Sequence, residues 1–149
     1  MLLFQEDTGI FGDSWARNTI SSDMMSDYRI LIVEDELVLQ LMLEHMLKKM
    51  GFEQFGTATK GATAIEKAKN ESYDLILMDI MLQDEIDGIE AYRKIQEEKK
   101  IPVIYITGNT DPRNKEKAKE IGYHDYLGKP ITFSHLKSSI DELLKDKAH

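Results

Sequence analysis

Residues 73–79 read Tyr-Asp-Leu-Ile-Leu-Met-Asp, and this stretch decides the fold class of the chain. The apolar run 75–78 is bounded by polar residues and stops at Asp79. A short run of this kind is typical of a strand buried on both faces, as in the middle of a parallel sheet. Open parallel sheets bind ligands at the carboxyl ends of their strands. Asp79 is therefore either a simple strand terminator or a candidate functional residue.

Strand-like and helical segments alternate along the rest of the chain from residue 28. The predicted strands are 28–33, 52–58, 73–79, 102–107 and 123–127, and the predicted helices are 36–50, 61–70, one opening at 87, 111–122 and one opening at 132. Such alternation predicts a parallel sheet covered by helices on both faces. Five strands in about 120 residues favour a flavodoxin-like α/β fold, with strand order 2-1-3-4-5, over the dinucleotide-binding order.

Two of the predicted helices have distinctive apolar patterns. The first has apolar residues near helical spacing: Leu37, Val38, Leu41, Met42 and Met46. The fourth opens at Asp111-Pro112, a cap followed by a proline in the first turn, and is polar around Ala118 and Ile121. Because its apolar stripe is so narrow, we expect this fourth helix to be weakly anchored.

Residues 1–26 differ from the rest because they lack a clear period and hold the only tryptophan, Trp15. Met25 is a plausible natural start, so residues 1–26 are interpreted as a flexible leader, vector-derived or an upstream extension, ahead of a single domain at 27–149. A short docking helix containing Phe4, Ile10, Phe11 and Trp15 is the alternative.

Composition excludes several classes of function. The formal net charge of −8 disfavours generic nucleic-acid binding but is compatible with an acidic pocket that needs a cation. The absence of cysteine excludes disulfides, thiolate catalysis and cysteine metal sites. No apolar run approaches the ~20 residues of a membrane span, and the N-terminus lacks the basic region of a secretory signal. We therefore expect a cytoplasmic protein that contacts neither nucleic acid nor membrane.

The predicted strand order gathers polar residues at one rim of the sheet. Glu34 and Asp35 end the first strand beside Asp79, while Thr107 ends the fourth strand and Lys129 follows the fifth. Each residue has an ordinary explanation, as a helix cap, a turn residue or a solvated lysine. Their joint position at strand ends favours a shared site instead.

Three clustered carboxylates need a compensating charge, because like charges raise one another's pKa. Magnesium suits this site, since it takes oxygen ligands and keeps several waters. Lys129 would neutralise the rest of an incoming anion. A carboxylate beside a metal and a lysine can attack a phosphoryl group and form an acyl phosphate.

Five motifs together resemble the receiver domain of two-component response regulators, of the chemotaxis-regulator kind. The resemblance spans about residue 28 to the C-terminus. The motifs are Ile-Leu-Ile-Val-Glu-Asp-Glu (30–36), Asp-Leu-Ile-Leu-Met-Asp (74–79), Asp-Gly-Ile-Glu (87–90), Pro-Val-Ile-Tyr-Ile-Thr-Gly (102–108) and Tyr-Leu-Gly-Lys-Pro (126–130). The chain departs from the family pattern after Asp79, where no proline follows and the loop to Gly88 looks one residue longer.

The resemblance implies a role for each residue at the rim. Asp79 would accept a phosphoryl group from a phosphohistidine of a sensor histidine kinase or phosphotransfer protein. Asp35, Asp79 and the Met81 carbonyl would bind Mg²⁺ directly, and Glu34 would act through a bound water.

The resemblance also implies how a signal would leave the site. Thr107 and Lys129 would hold the phosphoryl oxygens, and Tyr126 would be an aromatic switch that follows Thr107. The Lys129–Pro130 bond would be cis. A downstream protein would bind the face formed by the fourth predicted helix, the fifth strand and the last helix. The chain would then be a signalling switch that catalyses only its own phosphorylation and dephosphorylation.

Two alternatives remain open at this point. One is a degenerate receiver that acts only as a binding module. The other is a flavodoxin-like cofactor binder, in which Glu34-Asp35-Glu36 would repel a phosphate unless a metal were bound.

Overall fold

A five-stranded parallel sheet forms the centre of the molecule in a computed structural model that describes residues 22–108 and 111–148. The strands are β1 (Arg29–Val33), β2 (Gln54–Ala58), β3 (Leu75–Met78), β4 (Val103–Thr107) and β5 (Asp125–Gly128). The helices are α1 (Ser22–Asp27), α2 (Leu37–Lys49), α3 (Gly61–Asn70), α4 (Gly88–Glu98), α5 (Pro112–Ile121) and α6 (Phe133–Ala148). The spatial order β2-β1-β3-β4-β5 confirms the predicted α/β fold and strand order.

The deciding stretch forms the most buried part of the sheet. Each residue of β3 is at most 1% exposed, as expected for a strand covered on both faces. Successive side chains of a strand point to opposite faces. Ile76 and Met78 accordingly join the core cluster that includes residues of α3 and α4, whereas Leu75 and Leu77 join the cluster that includes residues of α2 and α6.

The strand register brings the carboxyl ends of the strands to one level. Val33 pairs with Ala58 on one side and with Met78 on the other, and Thr107 pairs with Gly128. The residues that follow are held by inter-strand backbone hydrogen bonds. Asp79 N donates to Val33 O at 3.0 Å, and Lys129 N donates to Thr107 O at 3.0 Å. Site residues that are distant in sequence are thus placed by the sheet itself.

Helix α1 overlaps the end of the predicted leader. Met25 is half-buried and packs against the core cluster that contains Leu43 and Leu47 of α2. The Gln54 side-chain amide also donates to the Ser26 carbonyl at 2.9 Å. Residues 1–21, including those of the alternative docking helix, lie outside the described residues.

The apolar patterns noted in two of the predicted helices can be compared with the side chains that are buried in the structure. In α2 the buried residues are Gln40, Leu43 and Leu47. Of the apolar set noted in the sequence, Met46 packs against the core, whereas the other four residues are exposed. In α5 only Ala118 is buried, which agrees with the narrow stripe expected there. Its predicted cap is also confirmed, since the Asp111 side chain accepts from Arg113 N.

Candidate functional site

Three carboxylates converge at the carboxyl ends of β1 and β3. Glu34, Asp35 and Asp79 each offer an oxygen, and these oxygens lie within 4.8 Å of one another. Glu34 and Asp79 are only 1% and 4% exposed, while Asp35 is half-buried. The structure therefore brings together the acidic residues that the sequence assigned to one rim.

Lys129 provides a cation for two of these carboxylates. Its Nζ lies 3.1 Å from Glu34 Oε1 and 3.1 Å from Asp79 Oδ2. The Lys129–Pro130 peptide bond is cis, as the family resemblance implied. A buried charge is tolerated only when it is paired, so this contact accounts for two nearly inaccessible carboxylates in a small domain.

The electrostatics of the cluster reflect burial as well as pairing. Burial raises the pKa of the Glu34 carboxyl to about 7; the Glu36 backbone hydrogen bond opposes this rise, and the Asp79 charge adds to it. Burial alone would lower the pKa of the Lys129 ammonium, but the Asp79 and Glu34 carboxylates outweigh it and the pKa is raised. Among the described residues, the three carboxylates have one ammonium in contact, that of Lys129 on Glu34 and Asp79, so negative charge is in excess. The donor set is all oxygen and only partly accessible, which fits a hard divalent cation such as Mg²⁺.

Backbone N–H groups fix the orientation of the carboxylates, and a buried side-chain amide holds the backbone of Glu34. Met81 N donates to Asp79 Oδ1 at 3.1 Å, and Gln83 N donates to Asp35 Oδ2 at 3.2 Å. The Gln40 side chain, buried in α2, donates to the Glu34 carbonyl at 3.1 Å. Sequence reasoning missed Gln40, although a glutamine in the first turn of the helix that follows the acidic pair was an available signal. The Met81 carbonyl as a metal ligand remains a prediction.

The loop after Asp79 is fixed by residues that sequence reasoning did not single out. Ile80 and Leu82 are 0% and 6% exposed and belong to the core. Gly88 N donates to Ile80 O at 2.9 Å, and a Cβ added at Gly88 would lie 2.2 Å from the Asp79 carbonyl oxygen. Only glycine allows α4 to begin this close to the backbone of Asp79. The apolar residues Ile80 and Leu82, two positions apart in a loop, were a signal for these anchors.

Thr107 and Tyr126 lie on the strands beyond Asp79. Thr107 is 2% exposed at the end of β4, the strand that pairs with β3. Tyr126 is half-buried in β5 and pairs in register with Tyr105, with ring centroids 5.8 Å apart. Lys115 Nζ of α5 lies 5.4 Å from the centre of the Tyr126 ring, a cation–π distance. Tyr126 thus connects β5 with the weakly anchored helix α5.

Comparison with known proteins identifies relatives of the whole arrangement. A family model for the response regulator receiver domain matches residues 30–141. The transcriptional regulatory protein PdtaR of Mycobacterium tuberculosis is 32% identical over 123 residues, which are 83% of this chain and 60% of that protein. The response regulator ArlR of Staphylococcus aureus is 36% identical over 117 residues, which are 78% of this chain and 52% of that protein. The chain therefore spans little more than half the length of these curated relatives.

Solved structures show the same likeness. A CheY-like response regulator receiver domain protein of Methanospirillum hungatei superimposes with a TM-score of 0.75 at 26% identity, covering 82% of this chain and 98% of that one. The receiver domain of a Pseudomonas aeruginosa sensor histidine kinase, which has a magnesium ion coordinated in its active-site cleft, gives a TM-score of 0.69 at 32% identity, covering 80% and 98%. In the part of this chain that the structure describes, none of the helices combines the length and apolar character needed to cross a membrane.

Proposed function

The chain belongs to the response regulator receiver family, and from that membership we propose that Asp79 accepts a phosphoryl group from a phosphohistidine of a sensor histidine kinase or phosphotransfer protein. Receiver domains are signalling switches and not conventional enzymes. The observation that carries the proposal is the position of Lys129 Nζ, 3.1 Å from both Glu34 and Asp79 within the acidic cluster. Such a cation–carboxylate arrangement is suited to receiving a second anion beside Asp79.

Magnesium is the expected cofactor of this site. Asp35, Asp79 and the Met81 carbonyl would hold the ion directly, and Glu34 would act through a bound water. When bound, the ion supplies positive charge for the phosphoryl oxygens. This assignment is supported by the oxygen-only donor set and by the shortage of positive charge among the described groups of the cluster.

In the phosphoryl transfer the protein takes part in one covalent step, at Asp79. An Asp79 carboxylate oxygen forms a bond to phosphorus as the phosphorus–nitrogen bond breaks, and the imidazole leaves with the electron pair of that bond. Lys129 exchanges part of its contact with Asp79 for a phosphoryl oxygen, and Thr107 donates its hydroxyl hydrogen to another. Positioning and charge neutralisation supply most of the rate in reactions of this kind.

Phosphorylation would be transmitted through Thr107 and Tyr126. A phosphoryl group biases a two-state element only if it contacts the two states differently. Thr107 supplies that contact, and Tyr126 passes it to α5, which buries only Ala118 and is therefore easily displaced. We infer that a downstream protein binds the face formed by α5, β5 and α6.

Labelling with a small phosphodonor such as acetyl phosphate tests the proposed function. We expect one phosphoryl group per chain in the presence of Mg²⁺, mapped to the peptide that contains Asp79, and no label after chelation of the metal. The measurement is intact mass followed by peptide mapping. Mg²⁺ binding without any labelling would favour the alternative of a receiver that acts only as a binding module. A label mapped to another residue would contradict the assignment of Asp79.

The lifetime of the phosphorylated form is expected to depend on Met81. Hydrolysis needs an aligned water, and the Met81 side chain, 54% exposed beside Asp79, has only a weakly accepting thioether. Met81→Asn adds a group able to hold that water, and one such hydrogen bond, worth about 1 kcal/mol, shortens the half-life roughly fivefold. Decay of the phosphorylated mass after donor removal measures this effect. Met81→Leu, which keeps the size without an acceptor, should decay like the parent; equal half-lives for all three would refute the proposed role.

The proposed function also bears on where the protein acts and on what it contacts. We infer a cytoplasmic protein, since a sensor kinase domain and its phosphodonor chemistry reside there. PdtaR carries a name that denotes transcriptional regulation, but this chain spans 60% of that protein, so no DNA-binding activity is carried over. We propose that this chain acts on protein partners, in keeping with its net charge of −8.

A further inference from the structure

Helix α2 presents a second apolar face that the sheet does not cover. Leu37, Val38, Leu41 and Met42 are 64%, 74%, 64% and 46% exposed, and we call these four side chains the α2 apolar patch. Val38, Leu41 and Met42 follow Leu37 by one, four and five residues, which places all four side chains on one side of the helix. Among the described residues, Met81 is the one other large apolar side chain with comparable exposure.

The α2 apolar patch is not explained by packing within the described domain. Helix α2 already buries Leu43 and Leu47 against the sheet, and a surface helix normally needs only one such stripe. Three patch residues, with Glu36 and Leu39, line an open depression of about 460 Å³. A water molecule in the liquid occupies about 30 Å³, so the depression has the volume of many waters. This is enough room for more than one large side chain. Contiguous exposed apolar surface of this kind usually marks an interaction site.

The N-terminal segment, residues 1–21, enters the structure close to this helix. Helix α1 follows the segment, and Met25 of α1 packs beside the end of α2, where a Cβ at Gly51 would lie 3.3 Å from Met25 Sδ. The 13 residues of α2 span about 20 Å at about 1.5 Å per residue. Trp15 lies seven residues before Ser22, the first residue of α1, and an extended linker of that length reaches about 24 Å. This reach exceeds the length of α2, so an extended linker can return along the helix to the patch.

The composition of the segment complements the patch. It includes Ile10, Phe11 and Trp15, and Phe11 and Trp15 are spaced to share one face of a helix. We propose that residues 10–15 dock on the α2 apolar patch of their own chain. The tether gives a local concentration in about the millimolar range, so a modest contact suffices to keep the segment docked.

Docking at this place would bring the segment beside the acidic site. Gln83 N, in the loop after Asp79, donates to Asp35 Oδ2 at 3.2 Å, and Asp35 precedes the first turn of α2 by two residues. The contact needs neither metal nor phosphoryl group. Its failure would therefore leave the proposed function untouched, and failure of phosphotransfer would leave the contact untouched.

Trp15 is the only tryptophan of the chain, so its fluorescence reports the contact directly. In the full-length protein we expect blue-shifted emission and protection from acrylamide quenching. The double variant Val38→Gln/Leu41→Gln should shift the emission to the red and raise the quenching constant towards that of free tryptophan amide. The ratio of docked to undocked chains is expected to fall roughly 30-fold, because burial of these aliphatic side chains drives the contact.

Matched variants and conditions distinguish the possible occupants. Ala62→Gln adds the same side chain at an exposed position of α3 and should leave the emission unchanged. Solvent-exposed emission in the parent protein would overturn the proposal, as would protected emission that the double variant does not alter. Emission that moves to the red on dilution, together with dimers in light scattering, would assign the patch to a second copy and also overturn it.

Discussion

Replacing Asp79 with asparagine is expected to abolish phosphoryl labelling by acetyl phosphate in the presence of Mg²⁺. The amide is a far weaker nucleophile than the carboxylate and forms no stable acyl phosphate. The substitution preserves the size of the side chain. Met81 N and Lys129 Nζ now donate to different oxygens of Asp79, and the single amide oxygen keeps one of these two hydrogen bonds. The loss of label is therefore expected in a folded protein and is measured by intact mass.

Asp84→Asn is the matched control for this experiment. Asp84 lies in the same loop but is exposed, so its replacement removes one negative charge without touching the acidic cluster. This variant should be labelled like the parent. Undiminished labelling of Asp79→Asn would mean that another residue accepts the phosphoryl group.

Gly88→Ala is expected to destabilise the folded protein strongly. The new Cβ would lie 2.2 Å from the Asp79 carbonyl oxygen and 2.9 Å from Ile80 Cα, and both neighbours are backbone atoms. Backbone of a buried loop cannot yield as a flexible side chain would, so we expect the free energy of unfolding to fall by about 3 kcal/mol or more. Urea unfolding measures the change, which should appear in the midpoint and not in the m-value.

Gly128→Ala serves as the control for added bulk. A Cβ there meets nothing within 4 Å, so its effect is expected to stay within about 0.5 kcal/mol. If Gly88→Ala unfolds at the same urea concentration as Gly128→Ala, the loop after Asp79 does not pass as close to α4 as described. The new Cβ would displace the backbone carbonyl of Asp79, the proposed phosphoryl acceptor. We therefore also expect the folded fraction of Gly88→Ala to be labelled more slowly than the parent.

The sequence predicted the sheet and its rim because both depend on local patterns. The apolar run ending at Asp79 specifies a central strand, and a parallel sheet then brings Glu34, Asp35 and Lys129 to the same edge. Polar spacing in α5 likewise predicted a helix with little buried surface. These features follow from the spacing of apolar residues within a segment and from the order of the segments along the chain, and both can be recognised in the sequence.

Other features depend on tertiary contacts that no local pattern specifies. The apolar residues of α2 outnumber those the sheet can cover, so the sequence alone did not indicate that Leu43 and Leu47 pack inward while Val38 and Leu41 stay exposed. Gln40 is buried because the Glu34 carbonyl needs a donor, a demand visible only when helix and strand end are seen together. The tight approach of Gly88 to the Asp79 backbone also joins residues whose proximity depends on the shape of the loop.

The inter-strand amides at the rim separate the placement of the site from its chemistry. Asp79 and Lys129 are located by their own backbone hydrogen bonds to Val33 and Thr107, bonds that any residue except proline can make. Evolution can therefore exchange a side chain at one of these positions without moving the others. Single substitutions can therefore remove or change the reactivity of such a receiver domain while its sheet stays intact. Few mutations are needed to produce a protein that holds its phosphoryl group for longer, or one that accepts none.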